Sequence, residues 1–337
     1  FLLFLLHYLF LWGLFGPFSA LAGVKDIQVL DPERDKTLPV RIRYPDQAEG
    51  PYPLIMFSHG AGGSGEAFAD LSRELAENGY VVMHPTHSDS IRLRRRQGTL
   101  EGILEGALDA DPRAALADVT QDVKLRDRAR DFVFLIENIA RIEEKLGLKN
   151  LIDAARIGMA GHSAGALTTQ ALAGVKFYPG RSRRARGFSL KDPRIDAFAI
   201  ISGQGTSLRA LRPSSWADIG EPWLVFTGSR DTSPLTAVTP AERREPYEYA
   251  PGTGNKYLVF IEGATHSAYQ GEKAARLLDS NPPENTPWIE HLTSLSTRKF
   301  FDAYLKNDSG ALNWLNTGRV LEVSYDRMKG ELAFSRK

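Results

Sequence analysis

The stretch Ile157-Gly158-Met159-Ala160-Gly161-His162-Ser163-Ala164-Gly165-Ala166-Leu167 constrains this chain more than any other. An apolar strand, Arg156 to Ala160, runs into a Gly-x-Ser-x-Gly turn. Small residues then open a helix from Ala164 to Ala173, which stops at Gly174. A serine held on a sharp strand-to-helix turn needs neighbours without side chains on both flanks. Gly161 and Gly165 therefore mark Ser163 as a nucleophile lifted clear of a sheet. The same turn puts the Ala164 amide at a helix N-terminus, where an unpaired N–H and the positive end of the helix dipole can meet an oxyanion.

The flanking sequence fits such a turn. Ile27 to Leu30 and Val40 to Tyr44 read as two edge strands joined by the polar turn Asp31 to Lys36, an antiparallel hairpin. Pro53 to Ser58 is an almost unbroken apolar run, as expected of a strand buried on both faces of a parallel sheet. Phe68, Leu71 and Leu75 recur at helical spacing up to Gly79, and Tyr80 to His84 reads as the next strand. Phe132, Leu135, Ile136, Ile139, Ile142 and Leu146 predict one long amphipathic helix closed by Gly147. Downstream, Ile195 to Ile201, Trp223 to Thr227 and Tyr257 to Ile261 are further strands, with a last long helix over Trp288 to Leu305. This alternation predicts an α/β protein with a mostly parallel, doubly wound sheet, helices on both faces and an N-terminal antiparallel hairpin.

The strand ending at Ser58 delivers the chain into His59-Gly60-Ala61-Gly62-Gly63-Ser64-Gly65. Such a loop brings backbone amides close to a substrate. Phosphate cradling is the competing reading, but the Gly-Lys-Ser/Thr ending of a P-loop is missing and no ribose-binding acid follows. An oxyanion-binding role, supplying the second N–H, fits better. His84 and His87 have no acidic or Cys ligand cluster around them, so they are expected to line the cleft or bond loops rather than hold a metal.

A serine hydroxyl is a poor nucleophile at neutral pH. It needs a base in hydrogen-bond reach, and the base needs an acid to hold its tautomer. In this fold the chain order should be Ser, acid, His. Asp231 follows the strand-like Leu224 to Arg230, and His266 follows Leu258 to Thr265, so both are expected at the sheet edge that carries Ser163. The bland readings are a turn aspartate and a loop histidine; order and placement together favour the catalytic ones. His7, His59, His162 and His291 are less well placed.

Lys and Arg number 42 against 41 Asp and Glu, which predicts no nucleic-acid partner, and the basic runs Arg92 to Arg96 and Arg181 to Arg186 read as solvated loops. Residues 1 to 18 carry no Asp, Glu, Lys or Arg and lead into Ala20-Leu21-Ala22, so a signal peptide cleaved after Ala22 and a secreted or periplasmic catalytic domain over 23 to 337 are expected. A retained membrane anchor is the rival, which Gly13, Gly16 and Pro17 disfavour. Cysteine is absent, excluding disulfides and thiol catalysis. Ser88 to Val119 is charged with short apolar pieces and reads as an insertion. It can lie over the cleft as a lid, with Ile91, Leu93, Leu100, Ile103, Leu104 and Leu108 toward an acyl chain, or stand as a solvated excursion.

At this point the chain resembles exported serine α/β-hydrolases related to platelet-activating factor acetylhydrolase and to dienelactone-hydrolase-like esterases. The resemblance covers most of residues 23 to 337. It rests on Phe57-Ser58-His59-Gly60-Ala61-Gly62-Gly63, Gly79-Tyr80-Val81-Val82, Gly161-His162-Ser163-Ala164-Gly165, Asp192-Pro193-Arg194-Ile195, Thr227-Gly228-Ser229-Arg230-Asp231 and Gly263-Ala264-Thr265-His266. It implies the α/β-hydrolase fold, a Ser163, Asp231, His266 triad, and the Ala61 and Ala164 amides as the oxyanion hole. Dienelactone hydrolases use a cysteine nucleophile, which this chain lacks. Some relatives of the acetylhydrolases carry the acid one strand earlier, where Ile201-Ser202-Gly203-Gln204 has no carboxylate, so Asp231 keeps that role. The expected function is hydrolysis of short- to medium-chain carboxylic esters through an acyl-enzyme without a cofactor or metal. Phthalate- or polyester-type substrates fall within that class. The alternatives are a phospholipase-type acetylhydrolase or lipase, and a non-catalytic binding module on the same fold.

Overall fold

A computed structural model describes residues 22–46, 50–100, 123–179, 186–233, 238–325 and 332–337. All but the last residue of the signal segment, and residues 101–119 of the proposed insertion, lie outside that set. Nine strands form one sheet, β1 Ala22–Asp31, β2 Lys36–Pro45, β3 Tyr52–Ser58, β4 Val81–Pro85, β5 Ile152–His162, β6 Ala197–Ile201, β7 Trp223–Arg230, β8 Lys256–Thr265 and β9 Leu332–Arg336. Their order is β1-β2-β4-β3-β5-β6-β7-β8-β9. Strands β3 to β8 are parallel, while β1, β2 and β9 run against their neighbours. The mostly parallel α/β sheet expected from the alternation is the one observed.

The hairpin is antiparallel as expected, with Leu30 opposite Thr37, but only β1 lies at the edge. Strand β2 is interior because it also pairs with β4, Ile42 opposite Met83. Its alternate residues Leu38, Val40 and Ile42 are buried, as a strand covered on one face requires.

The sheet separates two apolar layers. On one face the helices Leu125–Glu137, Ile139–Leu146 and Ala164–Ala173 bury Phe132, Leu135, Ile142 and Leu172 against Met56, Met159 and Phe198. On the other, the helices Ala69–Glu77 and Thr286–Leu305 bury Leu71, Leu75, Phe300 and Phe301 against Ile55, Phe57 and Ile201. Each fully buried Leu, Ile or Phe contributes about 1.5–3 kcal/mol of transfer free energy, so these two layers hold the sheet rigid beneath the site.

One expected element divides. The stripe from Phe132 to Leu146 is two helices meeting at Asn138, not one. The Asn138 side chain donates to the Phe134 carbonyl at 2.9 Å, and its φ of −115° leaves the helical region. A short amide that bonds its own preceding turn competes with the backbone ladder and breaks the helix there. Within the inserted region, Ser90 caps a short helix, Ile91–Arg96, by accepting from the Leu93 N–H, and Leu100 is buried. Ile103, Leu104 and Leu108 lie outside the described residues.

Candidate active site

The carboxyl ends of β5, β7 and β8 lie on one edge of the sheet, with that of β6 between the first two, and each of the three hands the chain to one candidate residue. Ser163 follows β5 with φ 56° and ψ −118°, a backbone that a side-chain-bearing residue adopts only under strain. Packing enforces it. A Cβ on Gly165 would stand 1.9 Å from the Ser58 carbonyl oxygen, and one on Gly161 would stand 2.4 Å from the Gly165 carbonyl oxygen. The helix Ala164–Ala173 can therefore seat on the end of β3 only with glycine at both positions. Ser163 heads that helix, yet its hydroxyl makes no capping bond. It is turned to His266 instead.

The Ser163 Oγ lies 2.9 Å from His266 Nε2, and His266 Nδ1 lies 2.8 Å from Asp231 Oδ1. The structure thus brings together three residues separated by up to 103 positions. Asp231 is wholly buried, and its other oxygen accepts from Thr227 Oγ1 at 3.0 Å and from Ser202 Oγ. These bonds leave Nδ1–H of His266 facing a carboxylate, which fixes the tautomer with Nε2 free to accept from Ser163. Burial pushes the Asp231 carboxyl up, but the Arg243 charge and the His266 bond outweigh it and hold it below the usual carboxylate range. Burial, then the Arg243 charge, lower His266, while Asp231 acts the other way. A neutral imidazole in contact with a serine hydroxyl has the geometry and protonation state that general-base chemistry requires.

The two amides expected to bind an oxyanion are those of Ala164 and Ala61. No described residue accepts from the Ala164 N–H or the Ala61 N–H. The glycine loop packs against the elbow, with a Cβ on Gly60 reaching 3.6 Å from Ser163 Cβ.

Three residues that sequence reasoning passed over hold this site. Arg243, without solvent exposure, donates to the carbonyls of Asp231 (2.8 Å), Ser202 (2.8 Å) and Gly203 (2.9 Å) and lies 3.0 Å from Asp231 Oδ1. Nothing in Ala241-Glu242-Arg243-Arg244-Glu245 distinguishes it from its half-exposed neighbour Arg244. His162 donates from Nε2 to the His266 carbonyl at 2.8 Å, its rings 4.8 Å apart, and burial takes its pKa down to about 3, so it stays neutral. Arg128 is buried with Asp89 beneath the glycine loop. It did have a signal, because it stands four positions before Phe132 on the apolar stripe of its helix, where an arginine needs a buried partner.

His84 and His87 were expected to line the cleft or bond loops; both are instead buried, and their rings bond to helices and to the end of β3. His84 donates to Ser72 Oγ at 2.6 Å, and that hydroxyl donates to the Phe68 carbonyl at 2.8 Å. His87 sits between Ser58 Oγ at 3.1 Å and Asp131 Oδ2 at 2.8 Å. Ser58, His87 and Asp131 repeat the Ser–His–Asp bonding pattern, but all three are sealed from solvent. No substrate carbonyl can reach Ser58, so this set anchors the end of β3. Access distinguishes the two sets, since Ser163 is partly exposed.

A family model described as platelet-activating factor acetylhydrolase, isoform II, matches residues 29–94, the segment from the hairpin through the glycine loop to the start of the insertion. No functionally curated protein matches the sequence. Among solved structures, the ferulic acid esterase from Streptomyces cinnamoneus superposes with a TM-score of 0.58 at 19% identity, over 87% of this chain and 93% of that one. The fold is that of the α/β-hydrolases, and the resemblance to acetylhydrolase-like proteins read from the motifs agrees with the family match.

Proposed function

We propose that this chain is a serine hydrolase of carboxylic esters, on the observation that Ser163 Oγ, His266 and a buried Asp231 form one hydrogen-bonded line at 2.9 and 2.8 Å. His266 Nε2 takes the proton of Ser163 as Oγ attacks the ester carbonyl. The Ala61 and Ala164 amides hold the resulting oxyanion. Collapse breaks the ester C–O bond, and His266 returns the proton to the leaving alcohol. Water then attacks the acyl-serine with His266 again as base, releasing the acid and restoring Ser163. Short- to medium-chain acyl esters are the proposed substrates, phthalate- and polyester-type esters included. Work outside the cytoplasm, after loss of residues 1–22, goes with this reading.

A phospholipase-type acetylhydrolase is the second reading, favoured by the family match over residues 29–94. Ser163→Ala is expected to fold normally and lose several orders of magnitude in turnover of a p-nitrophenyl ester. A fluorophosphonate probe should label the parent protein and spare the variant. Unlabelled parent protein would instead favour a binding module on a hydrolase fold. A series of esters of graded chain length, alongside a short-chain phospholipid, separates the two enzymatic readings.

A further inference from the structure

We propose that Arg128, with Asp89 as its counter-ion, is a positioning residue that sets the direction of the Ala61 amide and so the strength of the oxyanion hole; this rests on the ester-hydrolase reading. The guanidinium lies behind the glycine loop. Its Nη1 donates to the His59 carbonyl at 2.7 Å and its Nη2 to the Gly60 carbonyl at 3.2 Å. Its Nε and Nη2 meet the two oxygens of Asp89 at 2.9 and 2.7 Å. Both side chains are almost completely buried.

The geometry of a trans peptide makes this arrangement directional. A peptide C=O and the following N–H point in opposite directions, so a Gly60 carbonyl held toward Arg128 turns the Ala61 N–H to the other side. The same holds for His59 and the Gly60 N–H. Two more bonds pin the Gly60 carbonyl, from His59 Nδ1–H at 2.6 Å and from the Gly63 N–H at 3.2 Å. Asp89 Oδ2 takes the Gly62 N–H at 3.1 Å. The amides of Gly62 and Gly63 are thus already engaged, the first by Asp89 and the second within the loop. Those of Gly60 and Ala61 meet no acceptor among the described residues.

A cation is needed for this. Two carbonyls converging on one buried point repel each other, and a guanidinium satisfies both while neutralising Asp89. Without it the Gly60 carbonyl keeps only the His59 and Gly63 bonds and its peptide turns more readily, because glycine accepts either orientation. Rotation would carry the Ala61 N–H away from the elbow. His59 adds support but is weaker: it is neutral, its Nε2 accepting from the His87 N–H at 3.1 Å, and it reaches only one carbonyl. Burial raises the Asp89 carboxyl, yet the Arg128 charge and bond win and hold it below the ordinary carboxylate range, so the pair remains ionised at working pH.

The test uses Arg128→Met, Arg128→Lys and Asp89→Asn in the full chain. Three quantities are read for each: kcat and KM on p-nitrophenyl butyrate, inhibition by a trifluoromethyl ketone that forms a tetrahedral adduct on serine, and thermal unfolding. Loss of one oxyanion donor lowers kcat about 10²–10³-fold. Arg128→Met is expected to show that loss per folded molecule with KM within about threefold, and the ketone's inhibition constant should rise in step with the fall in kcat/KM. Arg128→Lys should recover part of both. Asp89→Asn keeps the shape of its side chain and reports the same effect if Arg128→Met does not fold. Unchanged kcat per folded molecule, or a fall in kcat with no change in ketone binding, overturns the proposal. Ser163→Ala separates the two levels. Full activity in that variant sinks the ester-hydrolase reading, whereas an inactive Ser163→Ala beside fully active Arg128 and Asp89 variants sinks only the positioning role.

Discussion

The guanidinium of Arg243 stands 3.0 Å from Asp231 Oδ1, the same oxygen that accepts the Nδ1–H of His266 at 2.8 Å. A fixed cation and a titrating imidazole therefore share one carboxylate oxygen in a fully buried setting. The charged groups that bear on His266 are Arg243, which lowers its pKa, and Asp231 and Asp279, which raise it; burial lowers it further. His162, packed on its ring, is neutral. Burial, together with the balance between Arg243 and Asp231, sets the pH at which His266 becomes a base.

Removing Arg243 takes away a cation that disfavours imidazolium, so the folded pKa of His266 rises. Since only neutral His266 accepts the serine proton, the acidic limb of the kcat/KM profile of Arg243→Met should move to higher pH. Breaking a buried ion pair also costs about 3–5 kcal/mol, so the variant should melt earlier. Rates measured well below its melting point as a function of pH check the first effect. A profile that falls in height without moving would leave Arg243 a purely structural residue.

Asp231→Asn should move the limb the opposite way. An amide at 231 can turn its oxygen to His266 and Arg243 and its NH₂ to the hydroxyls of Thr227 and Ser202, which can accept. The His266 tautomer then survives and the negative charge alone is lost, leaving Arg243 to depress the imidazole. The expected result is an acidic limb at lower pH and a smaller loss in kcat than the about 10⁴-fold seen where an amide forces the wrong tautomer. A limb displaced upward would contradict this account of the site's charge balance.

Gly165→Ala should be far more damaging than its size suggests. The added methyl would stand 1.9 Å from the Ser58 carbonyl oxygen and 2.7 Å from that of His59, both backbone atoms that no rotamer change can relieve. Overpacking of a core commonly costs about 1–3 kcal/mol, and a clash with two strand-end carbonyls belongs at or above the top of that range. Urea unfolding of the variant beside the parent protein measures it. A midpoint within error of the parent would mean the elbow can open without loss.

The protein should lose stability on mild acidification. His59, His84, His87, His162 and His266 all have folded pKa values lowered by burial, His162 to about 3. In the unfolded chain each titrates near 6.5. Below that pH the unfolded state binds more protons than the folded one, so stability falls as pH drops, by about 1.4 kcal/mol per pH unit for each histidine kept neutral. The contribution is fully present above pH 6.5 and declines until the folded values are passed. Unfolding free energies at pH 7.5, 6 and 5 test this, and a flat dependence would show that these rings are hydrated or charged in the folded protein.

Ser163, its flanking glycines and the strand ends carrying Asp231 and His266 were legible in the sequence because each depends on local rules. A nucleophile elbow needs glycine at fixed offsets, and a buried parallel strand needs an unbroken apolar run, both visible within a dozen residues. The antiparallel β9 was not legible, since Leu332–Arg336 is a short segment whose alternation acquires meaning only beside β8, where Phe334 meets Val259. Nor was the placement of β2 between β1 and β4. Periodicity shows which face of a strand is buried, never which neighbour completes its hydrogen bonds.

The residues that support the site divide the same way. Arg128 sits on an apolar stripe, so the sequence marked it as a charge in need of a partner without saying which. That partner, Asp89, lies 39 positions away. Arg243 carried no mark at all. Two adjacent arginines differ only in that tertiary packing sends one, Arg243, into the gap between the ends of β6 and β7, while its neighbour remains half-exposed. Sequence alone determined which serine, histidine and aspartate meet at the sheet's edge, and the sheet that presents them, because backbone sterics and apolar periodicity are local. Only the tertiary structure decided which buried charges set their basicity and aim their amides, because a charge removed from water takes its partner from whatever the fold brings within about 3 Å.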